Sequence, residues 1–374
     1  LPFAAGELNA VIVTHAHLDH TGRLPLLIKG GFTGNFYATP PTIELTKLIL
    51  EDAYEIMAYD NRKFGKPILY EQADIAKVME QFKPIDYYAE LILKNPKEVA
   101  DELLAQNVGA SGKTTTVTKI KIATGAVAVK FYDAGHIFGS AFVEMNAEGK
   151  KVVFSGDIGN VNVPILRDTD SLPANVDVAV CESTYGDRLH ESTDERQEII
   201  QKMVTEAVKR GGVLMIPSFS LERTQELIYE LNELVERKHK LPHVPIYLDS
   251  PLAIDALKVY RKYHQYYDEE ATRLFKGGDD LFDFPELTKC ESREESKRIN
   301  QVHPPKVIIA GAGMMNGGRI VHHALRYLSD SSSTLLIIGY QAQGTLGRKI
   351  LDGEKTVIIM GEKVKVKCKV KAVG

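Results

Sequence analysis

Thiol chemistry has little foothold in this sequence. Of 374 residues only Cys181, Cys290 and Cys368 are cysteines. They stand far apart with no CxxC pair, which excludes a disulfide framework and a thiolate zinc knuckle and fits a reducing compartment, the cytoplasm. Long apolar runs are missing as well: no stretch approaches the roughly 18 residues of a membrane span, so no membrane partner is expected. Nor is there an excess of positive charge. The 46 Lys and Arg against 50 Asp and Glu leave a net charge of −4. Any nucleic-acid groove would therefore be a local concentration of Lys and Arg, not a property of the whole chain.

Histidine is scarce too, yet three of the 11 fall between His15 and His20. The segment Thr14-His15-Ala16-His17-Leu18-Asp19-His20 follows the apolar run Val11-Ile12-Val13, which reads as a strand. His15 and His17 are two apart, so on extended chain they point the same way and can chelate one ion. Asp19 and His20 follow once the chain has begun to turn and can face a second ion nearby. Imidazole and carboxylate are the ligands zinc takes where no thiolate is offered. Two later strands also end in ligand types: Asp133-Ala134-Gly135-His136 after Val127–Tyr132, and Ser155-Gly156-Asp157 after Lys151–Phe154. Singly, each could be a turn or cap residue; together with the first cluster they suit a dinuclear centre.

The ordered set HxHxDH, DAGHxxGSA and SGDxGN resembles the metallo-β-lactamase fold. Further segments resemble the β-CASP nucleases: Cys181–Arg188 (CESTYGDR), Ile216–Arg223 (IPSFSLER), Tyr247–Pro251 (YLDSP), the glycines Gly311 to Gly318 with Arg319, and Gly339–Arg348 (GYQAQGTLGR). The resemblance is closest to prokaryotic ribonucleases similar to the nuclease subunit of the eukaryotic mRNA 3′-end cleavage complex, and it covers nearly the whole chain. It implies an α/β protein: an incomplete αββα sandwich over 1–190, an inserted parallel α/β β-CASP domain over 191–348, and a return to the first domain over 349–374.

The resemblance also implies roles. His15, His17 and His136 hold one zinc, Asp19 and His20 the second, and Asp157 bridges both. Glu182 orients a histidine general acid. Asp19, Asp157 and Glu182 are thus the expected catalytic residues. The activity implied is zinc-dependent hydrolysis of RNA by a water activated between two zincs, with a single strand threaded between the domains. Endonuclease and 5′ exonuclease action stay open, as does a homodimer. The family's general-acid histidine and a last zinc ligand are expected after the strand matching Val364–Val373, and its opening strands before Leu1. The chain is therefore expected to be a piece of a longer product, holding one zinc better than two and cutting RNA poorly. Two rival readings are a thioester or lactam hydrolase on the same fold and a non-catalytic RNA-binding subunit. The inserted domain argues against the first, the intact ligand set against the second.

From about residue 193 strands and helices alternate, as in a parallel sheet. Ser192 to Glu195 resembles a capping box, and Leu227 to Val235 an amphipathic helix. Ligands gather beyond the carboxyl ends of such strands. Ser218, Ser220, Gly313 and Gly318 are therefore candidates to contact phosphate, with Arg223, Arg319 and Arg348 as charged partners; the glycines would serve tight turns equally well. The alternating Lys363 to Lys371 reads as a half-buried strand with a lysine solvent face in preference to a basic ribbon for RNA. The remaining histidines, His322 and His323 among them, read as surface or helix-end residues. The polar stretch 95–118 reads as a surface insertion.

Overall fold

The computed structural model describes residues 1–93, 125–184, 186 and 193–373. The expected insertion at 95–118 and the capping box at Ser192 lie outside the described residues. The chain divides into two compact units, one of residues 1–161 and 167–184, the other of 162–166 and 185–374.

The first unit stacks helices, a small sheet and a larger sheet. Strands β1 (Ala10–Ile12), β2 (Asn35–Ala38) and β3 (Phe82–Pro84) form a parallel sheet in that order. Their side chains alternate as a pleated strand requires. Val11, Val13, Phe36 and Ala38 face the helices, packing with Leu24, Leu50 and Val78. Ile12 and Tyr37 face the other way, onto Val129, Phe131 and Val143 of the larger sheet. That sheet runs β4 (Glu90–Leu93), β5 (Val127–Asp133), β6 (Ala141–Ala147), β7 (Lys150–Phe154) and β8 (Val178–Val180), antiparallel except for the last pair. Helix α1 (Leu18–Thr21) is a single turn; α2 (Leu24–Lys29), α3 (Pro40–Phe64) and α4 (Gln72–Gln81) follow. The apolar spacing predicts a helix over Thr42–Met57, and α3 overruns it at both ends. Thr39 caps it, with Pro40 and Pro41 in the first turn, where a missing N–H costs nothing. Gly65 ends it at φ 66, a left-handed cap that glycine adopts without strain.

The second unit is a six-stranded, all-parallel sheet in the order β11-β10-β12-β9-β13-β16. Its strands are β9 (Val213–Pro217), β10 (Ile246–Asp249), β11 (Leu287–Lys289), β12 (Lys306–Ala310), β13 (Thr334–Ile338) and β16 (Lys369–Val373). The central three are buried along their whole length, the continuous apolar run that a sheet covered on both faces needs. Helices α5 (Thr193–Arg210), α6 (Arg223–Asn232), α7 (Pro251–Lys262), α8 (Glu269–Lys276), α9 (Arg293–Ile299) and α10 (Ile320–Tyr327) are among those that alternate with the strands.

Two expectations are corrected here. Residues 349–373 do not return to the first unit. β16 pairs with β13 from Thr334↔Lys369 to Ile338↔Val373, extending the second sheet. Before it, β14 (Thr356–Ile359) and β15 (Glu362–Lys365) form a hairpin whose Val357, Ile359 and Val364 pack with Ile320, Ala324 and Ile350. The lysine-rich stretch is thus two strands in two sheets, not one. Second, the amphipathic helix expected over Leu227 to Val235 has no solvent face along α6: every residue from Thr224 to Asn232 is buried. Its two glutamates are accommodated by arginines, not by water.

Candidate metal centre

The three ligand-bearing loops converge in the first unit. Thr14–His17 is a segment without regular secondary structure after β1, tied by Val13 N–H to the Tyr37 carbonyl (2.9 Å) and by Ala141 N–H to the Thr14 carbonyl (2.8 Å). One helical turn then carries Asp19 and His20. The loop after β5 brings His136, and Ser140 Oγ accepts from its N–H (3.0 Å) and from that of Ile137 (3.2 Å). The loop after β7 brings Asp157. The last two loops meet so closely that a Cβ on Gly159 would stand 1.7 Å from the Gly135 carbonyl oxygen, so only glycine fits there.

Ligand atoms of His15, His17, His136 and Asp157 all lie within 4.8 Å of one another. Asp157 divides its oxygens. Oδ2 lies 3.7 Å from His15 Nε2 and 3.5 Å from His136 Nε2, while Oδ1 lies 3.3 Å from His20 Nε2. Asp19 Oδ2 stands 3.7 Å from the same His20 nitrogen, on a largely exposed side chain. The carboxylate thus has histidine nitrogens near both of its oxygens.

The electrostatics fit cations. Burial, then the neighbouring His17, His136 and His20, push the His15 imidazole down to about 2, so its nitrogen lone pair is free at neutral pH. His15 Nε2 is buried and has no hydrogen-bond partner. An orphaned buried acceptor costs about 1–3 kcal/mol, a cost that a coordinated ion removes. The hydrogen bond from His20, followed by the field of the histidines, holds the Asp157 carboxyl well below the usual carboxylate range, while the same contact raises His20. Nitrogen and oxygen donors with no thiolate suit a divalent ion such as zinc.

Glu182 lies beside this cluster. Its Oε2 accepts from Thr184 N–H (2.8 Å) and its Oε1 from Ile158 N–H (3.3 Å). Burial pushes its carboxyl up, but these amides outweigh it and hold the group below its ordinary value. A cavity of about 650 Å³ opens here, lined by His20, Asp157 and Glu182 and by the apolar Ile12, Met145 and Phe154.

One supporting residue was not singled out from the sequence. Thr14 Oγ1 lies 3.1 Å from His15 Nδ1. When Nε2 coordinates an ion, Nδ1 carries the proton and donates to this hydroxyl, which fixes the ring. The only sequence signal was its position next to the first ligand. Thr14→Val is expected to weaken zinc retention about 10–100-fold in chelator competition, with Thr14→Ser close to wild type. Equal affinity in all three proteins would rule the role out.

In the second unit the expected phosphate-contact residues gather at the carboxyl ends of the strands, with one exception in role. Ser218 and Ser220 follow β9, and Ser220 Oγ lies 3.2 Å from Ser250 Oγ at the start of α7. A Cβ on Gly313 would strike the Phe219 ring at 2.6 Å, and one on Gly318 (φ 71) the Gly311 carbonyl at 2.3 Å, so both glycines serve close packing first. Arg223 bonds Glu226 (3.0 Å) and Arg348 bonds Asp352 (2.9 Å), each keeping part of its side chain exposed. Arg319 is committed inward. Its guanidinium donates to Asp249 (2.7 Å) and to the carbonyls of Cys290 and Glu291, correcting the expectation of a cation open to phosphate. His323, expected at the surface, is buried and shares the same Asp249 at 2.7 Å.

Comparison with known proteins agrees with this geometry. Residues 3–189 match the metallo-beta-lactamase superfamily and residues 224–350 the Beta-Casp domain. Ribonuclease TTHA0252 of Thermus thermophilus is 37% identical over all of this chain and 76% of its own length. An RNase J-like protein of Methanocaldococcus jannaschii is 30% identical over 97% of this chain and 74% of its own length. The transcription termination factor FttA of Methanosarcina mazei is 33% identical over 96% of this chain, which spans only 52% of that protein. The fold and the metal-ligand cluster are those of a metal-dependent hydrolase. The chain belongs to the metallo-β-lactamase superfamily and, within it, to the β-CASP nucleases. Among the described residues no helix is long and apolar enough to cross a membrane.

Proposed function

We propose that the protein hydrolyses phosphodiester bonds of single-stranded RNA, and that His15, His17, His136 and Asp157 would hold one zinc ion and Asp19, His20 and Asp157 a second. The carrying observation is the division of the Asp157 oxygens between two histidine groups. Bound there, the ion pair would supply an acidified water and a positive clamp for attacking and leaving oxygens. The chain's own residues do the rest. Thr14 holds the His15 ring. Asp157 keeps its charge through the neutral range. Glu182, fixed by two amides, presents a carboxylate to the cavity that receives the scissile phosphate. In the second unit the Ser220 and Ser250 hydroxyls, with the exposed parts of Arg223 and Arg348, are the groups offered to the RNA backbone.

RNA as substrate rests on the Beta-Casp match and on the relatives named as ribonucleases, which also favour it over a thioester or lactam. Preference for a single strand rests on recess: His15 is fully buried and Asp157 only 31% exposed. A flexible strand can bend a phosphate into such a site, whereas a base-paired duplex holds its phosphates on a stiff rod, as DNA does over about 150 base pairs. With zinc, a 20-nucleotide single strand is expected to be cut at least about tenfold faster than a blunt duplex of the same sequence, leaving 5′ phosphate and 3′ hydroxyl ends. Equal rates overturn the strand preference. No cleavage of any RNA by folded, zinc-loaded protein overturns the ribonuclease reading.

A further inference from the structure

The far end of α3 carries a patch that the metal chemistry does not use. Tyr59 and Phe64 are large aromatics left 44% and 60% exposed, with Ile56 beside them at 56%. Lys63 Nζ sits over both rings, 5.3 Å from the Tyr59 centroid and 5.1 Å from that of Phe64, and Lys66 Nζ lies 5.7 Å from Phe64. Lys63 also donates to the Tyr59 hydroxyl (2.9 Å), and Lys66 pairs with Asp60 (2.6 Å). Arg62, Lys63 and Lys66 against Asp60 leave the turn at +2, in a chain whose total is −4. The other acidic residues of the same helix, Glu44, Glu51, Asp52 and Glu55, fall before Tyr59 in the chain. This is the local concentration of positive charge that the overall composition does not provide.

We propose that this patch is a stacking platform for single-stranded RNA, one base on Phe64, another on Tyr59, and the flanking phosphates on Lys63, Lys66 and Arg62. Aromatic faces flanked by mobile cations are how proteins hold a single strand regardless of sequence. A protein partner would want the rings without the charge; a polyanion with flat bases uses both. The lysines now over the rings are flexible enough to step onto phosphate as bases take their place.

Helix α3 also sets the distance. At its start, Thr42 Oγ1 donates to the carbonyl of Gly139 in the His136 loop (2.8 Å). At about 1.5 Å per residue, the rise from Thr42 to Phe64 is about 33 Å. A strand stacked at about 3.4 Å per nucleotide needs roughly ten nucleotides to cover it. The platform therefore acts on long RNA and is out of reach of a fragment of about five nucleotides held at the ligand cluster.

The inference rests on the ribonuclease reading, and the test separates the two. The whole chain is compared with Tyr59→Ala/Phe64→Ala and with Lys63→Ser/Lys66→Ser. Binding of fluorescent 20-mer and 5-mer oligouridylate is measured by anisotropy in chelator, and cleavage with zinc. The aromatic pair of changes is expected to weaken 20-mer binding about tenfold or more and leave 5-mer cleavage unchanged. The lysine pair should lower the salt dependence of 20-mer binding by roughly one ion. A 4-thiouridine 20-mer should crosslink to the peptide holding Tyr59 and Phe64. If wild type binds and cuts the 20-mer and both variants match it, the platform is wrong. It is equally wrong if the variants change only the sedimentation of the protein, which would mark a protein contact. If wild type neither binds nor cuts RNA, the ribonuclease reading falls first and the platform with it.

Discussion

Asp157→Asn is expected to lower RNA hydrolysis by about 10²–10⁴-fold and to lower zinc content per chain below that of wild type. Asparagine keeps the shape of the side chain but offers one oxygen where the carboxylate offers two. In the structure one of those oxygens faces His15 and His136 and the other faces His20. The amide can therefore serve one group of histidines and turns N–H donors toward the other. A site that holds less metal would lose the clamp on attacking and leaving oxygens that a metal pair supplies when bound. The substitution also removes the negative charge that would offset bound cations in a recessed site, where such charge counts most. Metal analysis after dialysis and single-turnover cleavage give the two readouts. Chelator should reduce wild type to the level of the variant, and added zinc should restore only wild type. A variant that keeps the wild-type zinc content and most of its rate would show that Asp157 is not a shared ligand.

The clustering of His15, His17, His136 and Asp157 was legible because such side chains are chemically distinctive and fall at strand ends. Three histidines in six residues cannot be read as a packing pattern, and the alternation of His15 and His17 already fixes their common direction. The residues that hold those ligands are another matter. Thr14, Ser140 and Ser155 are common residue types whose roles depend on which backbone amide or ring nitrogen lies opposite, and that is set by loops distant in sequence. Ser155 Oγ, for example, accepts from Glu182 N–H across 27 positions. Periodicity identifies a strand's faces but not its neighbour. The alternation from Lys363 to Lys371 announced an extended chain with one apolar face; which sheet would take it was decided by the apolar side chains of α10 and by the free edge of β13. Arg319 failed for a related reason. An arginine beside glycines at a strand end looks like an anion site, but the sequence alone does not show that Asp249, two strands away in chain order, is buried and must be paired.

The largest effect on stability is expected at a place where the sequence was also misleading. Helix α6 is buried on all sides, and it carries Glu226 and Glu230 one turn apart. Arg196 of α5 bonds both, its Nη1 to Glu226 and its Nη2 to Glu230 at 3.0 Å. Arg223 adds a second cation to Glu226. Glu226 is thus doubly paired. Although burial pushes its carboxyl up, the two arginines hold it below its ordinary value. Glu230 has one arginine, and burial drives it from 4.5 to about 7. Removing one partner of a buried ion pair costs about 3–5 kcal/mol, because the other is left charged away from water. Arg196→Met should therefore lower the unfolding transition by that order, and Glu230→Leu added to it should recover much of the loss, since Glu226 keeps Arg223. The pH dependence gives an independent check. Above 4.5 the unfolded chain loses the Glu230 proton while the folded chain keeps it until about 7. The group thus favours folding most below the lower value, and that contribution is lost as pH rises through the upper one. Glu230→Gln removes this term, so its stability relative to wild type should increase between pH 5 and pH 8. A double variant no more stable than Arg196→Met, together with a pH-independent Glu230→Gln difference, would mean that this cluster does not carry the helix.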